Sequence, residues 1–352
     1  MRNNTMKVLL GGIIITSIMF AGTIRSSGTA GAAQLLIPVG AENIAVSNAN
    51  VATVSGVEAL FQNPAGVAKY AGTAQAMAGT MNYLADIKVT NFGLLTQFGK
   101  IGAFGLSVKS LDFGDIPITT ADETEGTGAF FSPRFMTLGA TYAKSFSDRV
   151  QFGATFKFVS EQIINTKASG MAVDLGVQYQ FPNMPLYIGV VLKNLGSRME
   201  YQGSDLEQQL QPDNTESGTI EERFRIKSEA FDLPSQLDIS MNYEVIPDLS
   251  LMGTFTNNAF SANTGSFAAK YSFKDFVWVA AGTQLGLANS SDQPADVDDD
   301  EWKEMSGTVF GFTFGAGVAV PLGDFKVGVG YSYRSVTDYF ENNSLFQLTV
   351  DF

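Results

Sequence analysis

Residues 149–161 place Val150, Phe152, Ala154, Phe156 and Phe158 at every second position, with Gln151, Gly153, Thr155 and Lys157 between them. The same period of two runs through 171–181 (Met171, Val173, Leu175, Val177, Tyr179) and 324–334 (Phe325, Val327, Val329, Tyr331, Tyr333). A strict two-residue repeat marks a β-strand with two unlike faces. A soluble antiparallel sheet also alternates in this way. Here the second face is small and hydrophilic, and aromatics cap the apolar face near the strand ends. That is the pattern of a barrel with lipid outside and a polar lumen inside. The sequence therefore predicts an all-β fold, an antiparallel transmembrane β-barrel.

Strand candidates are 74–84, 90–98, 101–111, 135–144, 149–161, 170–180 and 186–195, then 236–244, 249–256, 266–273, 276–286, 309–320, 325–334 and 344–352. These make about 14 strands, an even number as single-chain bacterial barrels require. Every second connection is tight: 99–100, 145–148, 181–185, 245–248, 274–275 and 321–324. The connections between those are longer, and 112–134, 196–235 and 287–308 far longer. Short periplasmic turns alternating with long outer loops fit an outer-membrane barrel.

The chain has 352 residues with 36 Gly and 28 Phe, and neither Cys nor His. Without Cys there is no disulfide, thiolate metal site or lipidated cysteine. Without His the commonest general base and metal ligand is missing. A nucleophile needs an activating base, and Ser-His or Asp-His arrangements cannot be built, so an enzyme is rejected. No metal centre or cofactor is expected.

Residues 1–33 read as a secretory signal: Arg2 and Lys7 form a basic head, 8–22 an apolar segment, and Ala30-Gly31-Ala32 a small-x-small cleavage site. The apolar run is shorter than the roughly 20 residues a membrane helix needs. The chain ends in an alternating strand at Phe352, which resembles the terminal assembly signal of bacterial barrels. Together these place it in a Gram-negative-type outer membrane, with the lipid as its surroundings.

Net charge is −13, and the three longest loops alone carry −15, so the rest is almost neutral. An acidic rim repels polyanions, and a nucleic-acid partner is not expected. In the run 296–301, Asp296, Asp298 and Asp300 match the first ligand positions of a calcium loop. Glu301 stands where that loop needs Gly, and Gly307 where it needs Glu. A solvated acidic loop is the simpler reading and weak divalent-ion bridging the alternative.

Residues 34–72 lack alternation and are rich in Ala, Asn, Gly and Val. They are too apolar to hang in the periplasm, and a barrel lumen is either filled or an open pore. They are expected to form a plug, with 73–352 as the barrel.

Leu36-Ile37-Pro38-Val39-Gly40-Ala41 and Phe61-Gln62-Asn63-Pro64-Ala65-Gly66 resemble the N-terminal region of the PorV/PorQ family, within the FadL-like (long-chain fatty-acid transporter) superfamily. Asn63-Pro64-Ala65 matches the superfamily's plug motif. Leu111-Asp112-Phe113-Gly114-Asp115-Ile116-Pro117, 168–176, Lys193-Asn194-Leu195-Gly196 and Phe231-Asp232-Leu233-Pro234 are similar to later family segments. The chain departs from many members at 42–48, where those carry an Arg-rich stretch and a Met-Gly-Gly turn. The resemblance implies two functions. One is a PorV-like type IX secretion accessory that binds a translocon subunit and the C-terminal domains of secreted cargo. The other is FadL-like uptake of a hydrophobic ligand, through a plugged barrel with a lateral opening at the third strand. The first is the leading expectation.

The residues themselves leave roles open. Pro64 fixes its own φ and forces Asn63 out of the helical region, which makes a turn; equally, Asn63 could cap a helix begun by Pro64. Asp112, Phe113, Gly114 and Asp115 mark either a kink in the third strand or its exit into a loop. Lumen-facing Lys157, Asp174, Asp238, Glu244 and Lys326 either pair and hold the plug or form a substrate relay.

Overall fold

The computed structural model describes residues 28–210, 222–274, 276–287, 293, 296–337 and 340–352. Residues 1–27 of the expected signal lie outside them, as do parts of the loops 196–235 and 287–308. The barrel strands are β1 Ala74–Asn82, β2 Lys88–Gln97, β3 Ala103–Asp112, β4 Arg134–Ser147, β5 Val150–Ile163, β6 Thr166–Gln180 and β7 Leu186–Gly196. They continue with β8 Gln236–Ile246, β9 Leu249–Asn258, β10 Asn263–Phe273, β11 Val277–Leu287, β12 Phe310–Leu322, β13 Phe325–Val336 and β14 Asn343–Asp351. Each strand pairs antiparallel with its neighbours in sequence, and β1 pairs with β14 from Gln75↔Asp351 to Asn82↔Ser344. The sheet closes on itself and leaves no free edge, the condition for spanning lipid with strands. The terminal Phe352 completes the closure: its N–H donates to the Ala74 carbonyl (2.9 Å), and its ring meets Phe325 edge-on at 5.4 Å.

One connection differs from expectation. The segment between β5 and β6 is not a longer loop but the two residues Ile164 and Asn165. The strands run past their expected ends because pairing continues through Gln162↔Lys167 and Ile163↔Thr166. Asp205 fastens this tip, accepting from Asn165 N (2.9 Å) and Nδ2 (3.0 Å).

The two faces sort as the alternation requires. On β5, Phe156 is 50% exposed while Thr155 is 1% exposed. Phe104, Leu106, Phe267, Val329 and Phe346 extend the outward apolar surface around the barrel. Large apolar side chains on an outer wall fit lipid better than water. Aromatic pairs mark the tight-turn end, where Phe104 meets Phe98 at 5.5 Å and Tyr142 at 5.0 Å.

The lumen is filled by the N-terminal segment, which folds into short helical turns at Ala33–Leu36, Ala41–Ala45, Gly56–Glu58, Ala59–Gln62 and Pro64–Lys69. Its small side chains make this fit: Ala41, Ala45, Ala49, Ala52, Ala59 and Ala65 are completely buried. Apolar clusters form where plug meets wall. Val57, Leu60 and Val67 pack with Met77 and Leu95, and Ile37, Val39 and Ile44 with Met81, Val89 and Leu345. The core of this molecule is therefore the plug–wall contact.

Candidate functional site

Glycines on the lumen face cradle the plug. A β-carbon at Gly93, Gly105, Gly153, Gly189, Gly315 or Gly330 would lie 2.2–2.7 Å from Val57, Leu60, Pro64, Ala52, Ala45 and Ala41 respectively. Only glycine allows so close an approach. The alternating pattern recorded these positions as merely small. Their recurrence on one face of β2, β3, β5, β7, β12 and β13 is the signal that an inner body is docked there.

Polar lumen side chains then bond the plug backbone, which has little regular structure of its own to satisfy it. Gln178 Nε2 donates to the carbonyls of Val51 and Val54, both at 3.0 Å. Ser240 and Thr254 donate to Ala49 O (3.0 and 3.1 Å), and Thr313 to Ala45 O (2.8 Å). Gln347 accepts from Ala41 N at 2.8 Å, and Lys109 Nζ donates to Ile37 O at 2.8 Å.

Asn63-Pro64-Ala65 sits at the heart of this contact, and both sequence readings hold. Asn63 is extended (φ −149°, ψ 109°) and caps the turn Pro64–Lys69, its Oδ1 accepting from Ala65 N at 3.1 Å. Its Nδ2 donates to Val51 O within the plug (2.8 Å) and to Val177 O on β6 (3.4 Å). One fully buried amide thus ties two plug segments to each other and to the wall.

Three of the expected lumen charges form ion pairs. Lys157 Nζ lies 2.5 Å from Asp174 and donates to Asn194 Oδ1 at 2.9 Å. Asp174 in turn accepts from Asn194 N at 2.8 Å, where β7 bulges with Asn194 at φ +60°. Asp238 pairs with Lys193 at 2.8 Å, a partner absent from the expected set, and Lys193 reaches Gln62 of the plug at 3.3 Å. Glu244 lines a lower chamber, and Lys326 stands opposite Asp351 in the β13–β14 ladder. Within the plug, the Glu58 carboxylate accepts from Asn43 N (3.0 Å) and Gln347 Nε2 (2.7 Å). Glu42 beside it pairs with Lys270 of β10 at 2.6 Å. Burial, reinforced by the negative charge of Glu42, raises the Glu58 pKa to about 7.

The plug separates two chambers that share no lining residue. The lower one, about 600 Å³, opens toward the tight-turn end and is polar, with Glu42, Glu58, Glu244 and Lys270 on its walls. The upper one, about 440 Å³, lies under the long loops. Its apolar surface comes from Leu35, Leu36, Ile37, Leu60 and Phe61 of the plug with Val309 and Phe310. Its polar surface includes Lys109, Lys157, Lys193, Asp238 and Arg334. Arg334 is stacked 3.7 Å over the Phe310 ring. An amphipathic chamber of this size suits a small, mostly apolar molecule.

The third-strand residues lie elsewhere. β3 pairs with β2 from Gln97↔Ala103 to Lys88↔Asp112, and with β4 from Ala103↔Ala143 to Asp112↔Arg134, without a shift of register. Asp112 Oδ1 then accepts from Gly114 N at 3.0 Å with Gly114 at φ +69°, and Asp115 accepts from Ser132. This is the turn of a strand leaving the sheet, with Phe113 packed on Phe135 at 4.8 Å, not a kink within it. The acidic run begins a helix, Asp299–Ser306, capped by Asp298, whose Oδ1 accepts from Asp300 N (3.0 Å) and Glu301 N (2.8 Å). Among the described residues no group of three acidic side chains is placed to hold a metal ion.

Fold and site together define a class: a closed, fourteen-stranded antiparallel barrel with a plug in its lumen and an amphipathic chamber above it. Solved structures share this architecture. The chain is similar to the toluene transporter TodX of Pseudomonas putida (TM-score 0.58, 11% identity, covering 89% of this chain and 96% of that one). It is also similar to the CymD monoaromatic hydrocarbon channel (0.55, 11%, 90% and 98%) and to a Pseudomonas aeruginosa FadL homologue (0.51, 12%, 89% and 98%). At such identities the likeness shows the fold, that of the FadL-like barrels. No family model and no curated protein matches the sequence.

Proposed function

We propose that this chain is an outer-membrane channel for small hydrophobic compounds. The observation that carries the reading is the upper chamber, in which apolar plug residues Leu35, Leu36, Ile37, Leu60 and Phe61 face a polar, cation-rich wall beneath the outer loops. A water-filled pore has no need of an apolar floor, whereas a hydrophobic solute leaving water gains about 25 cal/mol for each Å² of apolar surface it buries. The likeness to hydrocarbon channels supports the same reading. It lends nothing to the type IX secretion accessory, which rests on sequence resemblance alone and now stands second. The outward apolar wall and the closed sheet, with the secretory signal expected from the sequence, support placement in the outer membrane.

The test is what the purified barrel carries. Extracted in mild detergent and examined by native mass spectrometry, it should retain a displaceable apolar ligand, and Phe61→Asp should abolish retention. Recovery of an empty chamber together with a stoichiometric secreted protein would overturn the channel in favour of the secretion accessory.

A further inference from the structure

The outward face of β2–β6 changes character in three successive rows of the ladder. One row is apolar: Phe92, Val108, Leu138, Phe158 and Met171 stand side by side on the five strands. The next outward row toward the long loops is mostly hydroxyl, with Thr90, Ser110, Met136, Ser160 and Ser169. The third is charged: Lys88, Asp112, Arg134, Gln162 and Lys167 pair in turn across the same strands, and all five are exposed. Pairing extends this row by an amide at each end, Asn82 of β1 and Gln202 of the loop 196–235. Paired strands lie about 4.8 Å apart, so the backbones of successive cations in the row are about 10 Å apart.

The fold itself makes no use of these cations. Among the described residues none of the three forms an ion pair, and the one carboxylate between them, Asp112, accepts from Gly114 N. Three cations against one carboxylate leave the row positive on a chain whose net charge is −13. The row is also confined to one side of the barrel. Among the described residues, the loop-end halves of β8–β14 carry no outward Lys or Arg. Arg334 there lines the upper chamber, and the ladder of β11 and β12 already ends at Thr283↔Phe312.

The height of the row fits the edge of a membrane. Lys88 is ten residues from Phe98, which belongs to the aromatic border at the tight-turn end. At about 3.3 Å for each residue and a tilt of about 40°, that spans about 25 Å, the height of a barrel's apolar band. From there the row climbs, as ladder rows of a tilted sheet do. β2 ends nine residues past Lys88 but β6 thirteen past Lys167, which sets Lys167 about 10 Å higher. A phospholipid presents its phosphate at a single level, whereas cations stepped over this height need anionic groups at more than one.

We infer that this row is a binding surface for an outer-leaflet glycolipid whose large headgroup carries several phosphates. The acyl chains lie against the apolar row, the sugars and their linkages meet the hydroxyl row, and the phosphates take Lys88, Arg134 and Lys167. Arg134 can hold a phosphate by two parallel hydrogen bonds, while the lysines act as point charges. Each such cation at an anionic lipid surface adds to the attraction. The inference rests on the outer-membrane placement proposed above and does not depend on what the channel carries.

In the test, labelled rough lipopolysaccharide, phosphorylated on its lipid A and inner core, is titrated against the immobilised barrel in detergent. In Lys88→Gln/Arg134→Gln/Lys167→Gln the affinity should fall by about tenfold or more. The control Lys100→Gln/Arg149→Gln/Lys274→Gln removes the same charge from exposed positions at the tight turns and should bind as the parent does. A second arm uses the parent barrel alone, so that it needs no variant to fold. The same glycolipid stripped of its phosphates, and phosphatidylglycerol, should both bind it at least several times more weakly than the intact glycolipid. Equal affinity of parent and row variant overturns the binding surface, as does an equal loss in the control. Phosphatidylglycerol or stripped glycolipid bound as tightly as the intact one overturns the several-phosphate headgroup. Fractionation of the barrel away from the outer membrane counts against the placement alone, and the titration still decides the row.

Discussion

Gly176 and Asn63 meet so closely that a β-carbon on the glycine would lie 1.9 Å from the Asn63 Oδ1. The amide can hold Val51, Ala65 and Val177 together only because β6 offers bare backbone at that position. Gly176→Val should push Asn63 out of its bonds and unseat the plug, at a cost of about 1–3 kcal/mol from overpacking. In planar bilayers the variant should show frequent ion-conducting openings where the parent is quiet. Conductance equal to the parent's would mean the plug is not held there.

Lys157 and Asp174 are both nearly buried, with side chains 12% and 4% exposed. Removing one partner leaves the other's charge stranded, which costs about 3–5 kcal/mol, while an apolar pair of similar volume is close to neutral. Asp174→Asn should lower the temperature at which the barrel loses its folded gel mobility, and Lys157→Met with Asp174→Leu should restore most of it. A double variant no better than the single would show the pair to be more than a brace, as a substrate relay requires.

Much of this was readable in the residues. Alternation reports which face a side chain occupies, and so it located the fourteen strands and the lumen charges Lys157, Asp174 and Asp238, but not Lys109, Lys193, Lys270 or Arg334. It does not report the strand's partner. Gln284–Leu287 alternates like any wall segment, with Leu285 and Leu287 outward, although β12 has already left it. Lys193 escaped notice although it keeps the inward parity of Gly189 and Val191, because the run Val190-Val191-Leu192 before it is apolar on both faces and hides the alternation. The β5–β6 tip was hidden because its hairpin ends in Ile164-Asn165, and Ile164 sits at φ +51°, a conformation a β-branched residue rarely adopts. The plug followed from composition, since an apolar stretch without strand periodicity has nowhere else to go. Its path did not, because it is set by glycines scattered over the strands that surround it.

Glu58 gives the plug a pH dependence. Its carboxyl has an ordinary pKa near 4.5 when unfolded and about 7 in the lumen. The folded state therefore holds a proton that the unfolded state releases, and this contribution to stability is complete below the unfolded value. It is lost as pH rises through about 7. Melting temperature followed from pH 5 to 8 should fall, with openings in bilayers becoming more frequent. Glu58→Gln, which stays neutral and can still accept from Asn43, should flatten both trends. A slope unchanged in the variant would assign the titration to another group.

Accumulation of a labelled monoaromatic hydrocarbon in cells whose own hydrophobic channels have been deleted bears most directly on whether this barrel is a channel. Cells given the parent barrel should accumulate the label well above cells given none, and Phe61→Asp with Leu36→Asp, which places charges on the chamber floor, should return them to background at equal amounts of folded protein in the membrane. Accumulation no greater with the barrel than without it, while secreted proteins fail to reach the surface when it is missing, would contradict the channel.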